Sequence, residues 1–115
     1  MLMSVSEFAE KMNLEVVAGE GGLKNKIKGV YIGDLLSWVM GRAKEGDAWI
    51  TIQGHVNIVA VALLAVVSCI VVCESAEVSE QTIEKANIED IPILTGKLPA
   101  YETARNYFKY VEGVS

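Results

Sequence analysis

Residues 48–75 read AWITIQGHVNIVAVALLAVVSCIVVCES, and how this stretch folds decides what kind of protein the chain is. Within it, Val56 to Cys73 is eighteen residues without a charge, the usual threshold for a membrane-spanning helix. The run changes character partway. Up to Val67 it is rich in Ala and Leu, and Val56, Val59, Ala60, Leu63, Leu64 and Val67 recur at the three- and four-residue spacings of a helix. From Cys69 it reads CIVVC, β-branched at its centre and short enough for a central strand. Asn57 and Ser68 interrupt the apolar surface, and no basic cluster flanks either end to anchor lipid headgroups. The stretch therefore reads as a buried helix feeding a buried strand, not as a membrane segment.

The bulk numbers agree. A chain of 115 residues supports one core, so residues 1–115 are expected to form a single domain with its centre at about 30–111. Hydrophobic residues make up 51%, too many for a disordered chain. Ten Lys and Arg against fifteen Asp and Glu give a net charge of −5. Nucleic-acid binders draw most of their affinity from basic excess, so that class is disfavoured. Cys69 and Cys73 point to the same side of one strand, which suits reduced core thiols better than a disulfide or a zinc site. With no basic-then-apolar leader in MLMSVSEFAEKM, a cytoplasmic setting is expected.

Working outward, Ser4 and Glu7 form a capping box ahead of a short amphipathic helix. Glu15 to Ala18 is a short strand ended by the GEGG turn at 19–22, and Ile27 to Ile32 reads as a second strand. Lys24, Lys26 and Lys28 on its approach read as charges protecting an edge. Asp34 is expected to cap a helix whose apolar stripe is Leu35, Leu36, Val39, Met40 and Ala43, leaving Trp38 off the stripe for a second contact. Ala48 to Ile52 is a strong strand. Ser79 caps a polar helix running to about Asn87, Ile91 to Thr95 forms a last strand, and Pro99 opens a closing helix with Tyr101, Ala104, Phe108 and Val111 at helical spacing. Strands alternating with helices predict an α/β, three-layer-like domain. Its mostly parallel sheet is flanked by helices, with a short N-terminal helix and edge strands added.

In open parallel sheets, ligands bind outside the carboxyl ends of the strands. Three loops leave such ends: 53–57 (QGHVN), 74–79 (ESAEVS) and 95–99 (TGKLP). Gly54 would allow close backbone approach, the following helix start would offer amides to an anion, and His55, Asn57 and Gln53 would add side-chain hydrogen bonds. Thr95 and Lys97 could reach the same crevice. Each residue also has a structural reading, His55 and Asn57 as helix-start residues and Lys97 as a surface charge. The catalytic search is negative: there is no P-loop, no dinucleotide fingerprint and no nucleophile elbow. Any enzyme reading would rest on His55 as a general base.

The stretch at 48–75, together with IPILTGKLPAYETA at 91–104, resembles the DRTGG domain, which is similar to the N-terminal domain of HPr kinase/phosphorylase. The resemblance covers about Val30 to Val111. PAYETA at 99–104 looks like the DTYETA segment of such domains, while QGHVN at 53–57 stands where the Asp-Arg-Thr-Gly-Gly motif would be. The resemblance implies a non-catalytic regulatory domain without a cofactor, of a kind fused elsewhere to CBS-containing or kinase modules. Its expected ligand is a small phosphorylated molecule or nucleotide, and its expected partner is a second copy or an enzyme. The competing expectation is a pure dimerisation or protein-interaction module, with Trp38, Tyr107 or Tyr110 exposed to a partner.

Overall fold

The structure, a computed structural model, describes residues 2–112. The elements are β1 (Met3–Ser4), α1 (Val5–Lys11), β2 (Glu15–Ala18), β3 (Lys26–Ile27), β4 (Gly29–Ile32), α2 (Leu36–Arg42), β5 (Asp47–Thr51), α3 (Asn57–Ala65), β6 (Cys69–Val72), α4 (Glu80–Glu89), β7 (Ile93–Thr95) and α5 (Ala100–Glu112). Five strands form the main sheet in the order β2-β7-β6-β5-β4. The β4-β5-β6-β7 block is parallel and β2 is added antiparallel, with Glu15 opposite Thr95 and Val16 opposite Leu94. β1 and β3 pair separately as a two-stranded antiparallel ribbon.

Side-chain alternation along the strands splits the core in two. Trp49, Ile70, Val72 and Ile93 face α2, α3 and α4, where Val39, Ile58, Val59, Ala62 and Ala86 are buried. Ala48, Ile50, Cys69, Val71 and Leu94 face α1 and α5, where Val5, Phe8, Ala104 and Tyr107 are buried. Strands covered on both faces read as continuous apolar runs, which is why AWITI and CIVVC show no polar alternation. Both cysteines are free and buried on the same face. Burial pushes the Cys69 thiol up to about 12, and Cys73 donates its thiol hydrogen to the Thr51 carbonyl.

The uncharged run breaks at Val66. α3 is nine residues long, about 13 Å of rise against the roughly 30 Å of a bilayer core. It ends with Val66 in the left-handed region at φ 57°, closed by Val67 N–H donating to Ala62 O. Among the described residues, no helix is long and apolar enough to cross a membrane. A β-branched residue is poorly suited to that angle, and Val66 is exposed, so little packing is lost by trimming it. Val66→Gly should therefore stabilise the fold by about 0.5–1 kcal/mol. Denaturant unfolding measures this, and a variant less stable than the parent would refute the strain.

The N-terminal capping box is as read: Glu7 N–H donates to Ser4 Oγ and Ser4 N–H to Glu7 Oε1. These bonds to Ser4 hold the Glu7 carboxyl below its ordinary value.

Four local expectations are corrected. The run at 27–32 is two strands, because Ile27 pairs with β1 whereas Gly29–Ile32 pairs with β5. Asp34 does not cap α2. The helix begins after Leu35 without a side-chain cap, and the Asp34 carboxylate instead accepts from Thr51 Oγ1 at 2.7 Å and the Ile52 amide at 2.9 Å. Within the expected α2 stripe, Val39 is buried while Leu35 and Met40 are exposed. On α5, Tyr107 is buried edge-on against Phe8 at 5.8 Å, while Tyr101, Phe108 and Val111 face solvent. Tyr107 is thus a core residue and not a partner surface.

Candidate functional site

The strand-end loops meet at one end of the sheet, and short backbone contacts lock them together. Gly54 leaves β5 and lies directly on the 74–79 loop; a Cβ there would fall 1.7 Å from the Glu77 carbonyl oxygen. Its carbonyl accepts from the Ser79 amide and from Thr82 Oγ1 at 2.8 Å, so it anchors the start of α4. The space that glycine provides is filled by the neighbouring loop. On its other side the 74–79 loop is tied to the exit of β7, with Ser75 N–H donating to Gly96 O and Glu74 N–H to Leu98 O.

The predicted site residues therefore divide into two groups. Gln53, Gly54, His55 and Asn57 form one turn and are largely engaged in holding it. Gln53 Nε2 donates to Asp34 O, and His55 Nδ1 accepts from the Asn57 amide, so His55 caps the entry to α3 from an exposed position. Thr95 and Lys97 lie across the 74–79 loop on the wall of a 660 Å³ cleft. Roughly 300–1,000 Å³ is the span of small-molecule sites. The cleft sits between the turn after α1, the exits of β6 and β7, and α5.

Ser75 comes from the 74–79 loop that the sequence marks as a strand end, but sequence reasoning missed the rest of that wall: Asn13 and Glu15 come from the α1–β2 turn and Asn106 from α5. No motif marks these three. The antiparallel pairing that sets Glu15 opposite Thr95 brings the first group to the second. The polar ends are uncommitted: among the described residues, Asn13, Glu15, Ser75, Thr95, Lys97 and Asn106 make no side-chain hydrogen bond or ion pair. Apolar atoms of Met12, Leu14, Ala76 and Leu98 fill the spaces between them. Mixed apolar walls with a few convergent polar groups are the usual build of a ligand site. Among the described residues no group of His, Cys, Asp and Glu is placed to hold a metal ion.

The model of the DRTGG domain matches residues 7–109 of this sequence. The chain belongs to the DRTGG domain family. A solved structure of similar fold is the CBS and DRTGG region of the regulatory part of Clostridium perfringens pyrophosphatase, complexed with its activator diadenosine tetraphosphate. This DRTGG domain aligns with it at a TM-score of 0.71 and 20% identity over 89% of its own length. It spans 44% of that chain, so less than half of the larger regulatory region is represented. No match was found among the curated proteins.

Proposed function

We propose that this DRTGG domain is a non-catalytic regulatory module, working in the cytoplasm, that binds a small phosphorylated or nucleotide ligand. Occupancy would be passed to a second copy or a partner enzyme. One observation carries the reading: six polar side chains with uncommitted ends, Thr95 and Lys97 among them, line one cleft at the carboxyl ends of the strands. That is where open α/β sheets take ligands. A family member that lies in a nucleotide-activated regulatory region supports the same reading. In this reading Gln53, Gly54, His55 and Asn57 hold the turn behind the 74–79 loop, and Thr95 and Lys97 meet the ligand. No cofactor is required.

A panel of mononucleotides, dinucleoside polyphosphates and phosphorylated metabolites should contain at least one compound that raises the melting temperature. At 100 times its dissociation constant a ligand adds about 2.7 kcal/mol, roughly 10 °C for a domain of this size. A flat response across the panel would remove the ligand reading. His55→Ala should leave any such shift in place, which separates this reading from an enzyme using His55 as a base.

A second reading, self-association, is favoured by an apolar patch at the opposite edge of the sheet. Ile32 precedes the turn that Ile52 N–H closes on Asp34, Leu35 follows it, and Trp38 N–H donates to Leu35 O. Leu35 is 62% and Trp38 55% exposed, with the Arg42 guanidinium 4.0 Å over the indole. A two-fold axis would set this apolar patch against its own copy and keep the acidic excess of a chain of net charge −5 out of the contact. Tryptophan and arginine are the residues that most often dominate such contacts. Trp38→Ser should weaken a homodimer by about thirtyfold or more, read by sedimentation. A parent chain that stays monomeric at high concentration would end this reading.

A further inference from the structure

The charges lining the cleft sum to zero. Lys97 supplies one cation, Glu15 one anion, and Asn13, Asn106, Ser75 and Thr95 are neutral. Among the described residues, neither Lys97 nor Glu15 is spent in an ion pair, since the one ion pair there joins Lys85 to Glu89 on α4. The wall is also held under strain. Glu74 and Ser75 are consecutive residues at φ 58° and 55°, away from any helix end, where each side chain costs about 1–2 kcal/mol. Their amides are bonded to the β7 exit loop, so this strain fixes the rim of the cleft. Strained backbone of this sort gathers at ligand clamps.

We infer that the cleft takes a nucleoside monophosphate in preference to a polyphosphate, with Lys97 on the phosphate and Glu15 on the ribose hydroxyls. The inference rests on the nucleotide reading above and narrows it. A phosphate needs a strong donor, and one ammonium supplies it. A polyphosphate bridge carries several negative charges and would meet one lysine and one carboxylate in the same cleft, on a chain of net charge −5. A carboxylate is an acceptor only, which suits a diol and opposes further phosphate. Asn13 and Asn106 each present a donor and an acceptor to a base edge, and Leu14 and Leu98 offer apolar surface to its plane.

Titration calorimetry on the full chain with AMP, ATP and diadenosine tetraphosphate, and with adenosine as the phosphate-free control, tests this alongside Lys97→Gln and Glu15→Gln. AMP should bind at least tenfold tighter than diadenosine tetraphosphate at low salt. Lys97→Gln should weaken AMP about tenfold and leave adenosine unchanged. Glu15→Gln should narrow the gap between AMP and the tetraphosphate. Both side chains are at the surface, so the variants should melt like the parent. Tighter binding of the tetraphosphate, or AMP affinity that neither substitution moves, overturns the inference while the nucleotide reading stands. No binding by any of the three nucleotides, with no response to the wider panel, overturns both.

Discussion

Gly54→Ala is expected to cost about 4 kcal/mol and to lower the melting temperature by about 15 °C. The cause is the kind of atom in the way. A Cβ at 54 would lie 1.7 Å from Glu77 O, 2.8 Å from Glu77 C and 3.0 Å from Val78 Cα, all of them backbone. A flexible side chain could swing aside, but a loop must move as a unit. Moving it pulls Ser79 N–H and Thr82 Oγ1 from the Gly54 carbonyl, and two lost hydrogen bonds add about 1 kcal/mol each to the steric cost. The displaced loop also carries Ser75 away from Gly96, so ligand affinity at the cleft should fall with stability. Gly41→Ala is the control. It sits inside α2 with nothing within 4 Å of the added carbon, and it should gain about 0.5–1 kcal/mol. Thermal unfolding of the two variants settles the matter, and a Gly54→Ala protein melting within about 3 °C of the parent would show that the loop does not lie on the turn.

Trp49→Ala should cost about 3–5 kcal/mol. Trp49 is fully buried in the middle of β5, between Tyr31 on β4 and Ile70 on β6, and it packs into the cluster that holds Val39, Ile58 and Val59. Its indole Nε1–H donates to Gly33 O at 2.9 Å, so the ring also fastens the turn that presents Asp34 to Thr51 and Ile52. Trp49→Phe isolates this second role. It keeps most of the apolar area, deprives the Gly33 carbonyl of its partner, and should cost about 1–2 kcal/mol. Fluorescence reports on each variant, because the only other tryptophan is the exposed Trp38. Loss of Trp49 should leave a solvent-like emission that does not shift further on unfolding. A blue-shifted residual spectrum would mean that Trp38 is covered, as self-association requires.

The tryptophan pair shows how much could be read in advance. AWITI announces a buried strand, whereas the expected stripe on α2 does not set Trp38 apart, because Leu35 and Met40 are exposed with it. Asp34 misleads for a physical reason. Gly-Asp before an apolar run has the composition of a helix start, but Thr51 Oγ1 and the Ile52 amide compete for the same carboxylate from seventeen and eighteen residues away and win it. Tyr107 misleads because two adjacent stripes on α5 are comparably apolar. Docking against Phe8, on a helix nearly one hundred residues earlier, selects one of them. The QGHVN turn was legible as a strand-end loop. That its glycine serves the 74–79 loop could not be seen without Glu77 beside it.

By itself the sequence determined the periodicities, and through them the α/β class, the helix and strand inside the uncharged middle, and the three loops at the carboxyl ends. Those follow from spacing within a segment, where each residue's neighbours are already known. Only the tertiary structure decided which segments lie side by side. The order β2-β7-β6-β5-β4 sets a strand from the first twenty residues against one from the last quarter, and the wall carrying Asn13 and Glu15 exists because of that pairing. Strand partners are selected by burial summed over the whole core, a quantity that no local pattern contains.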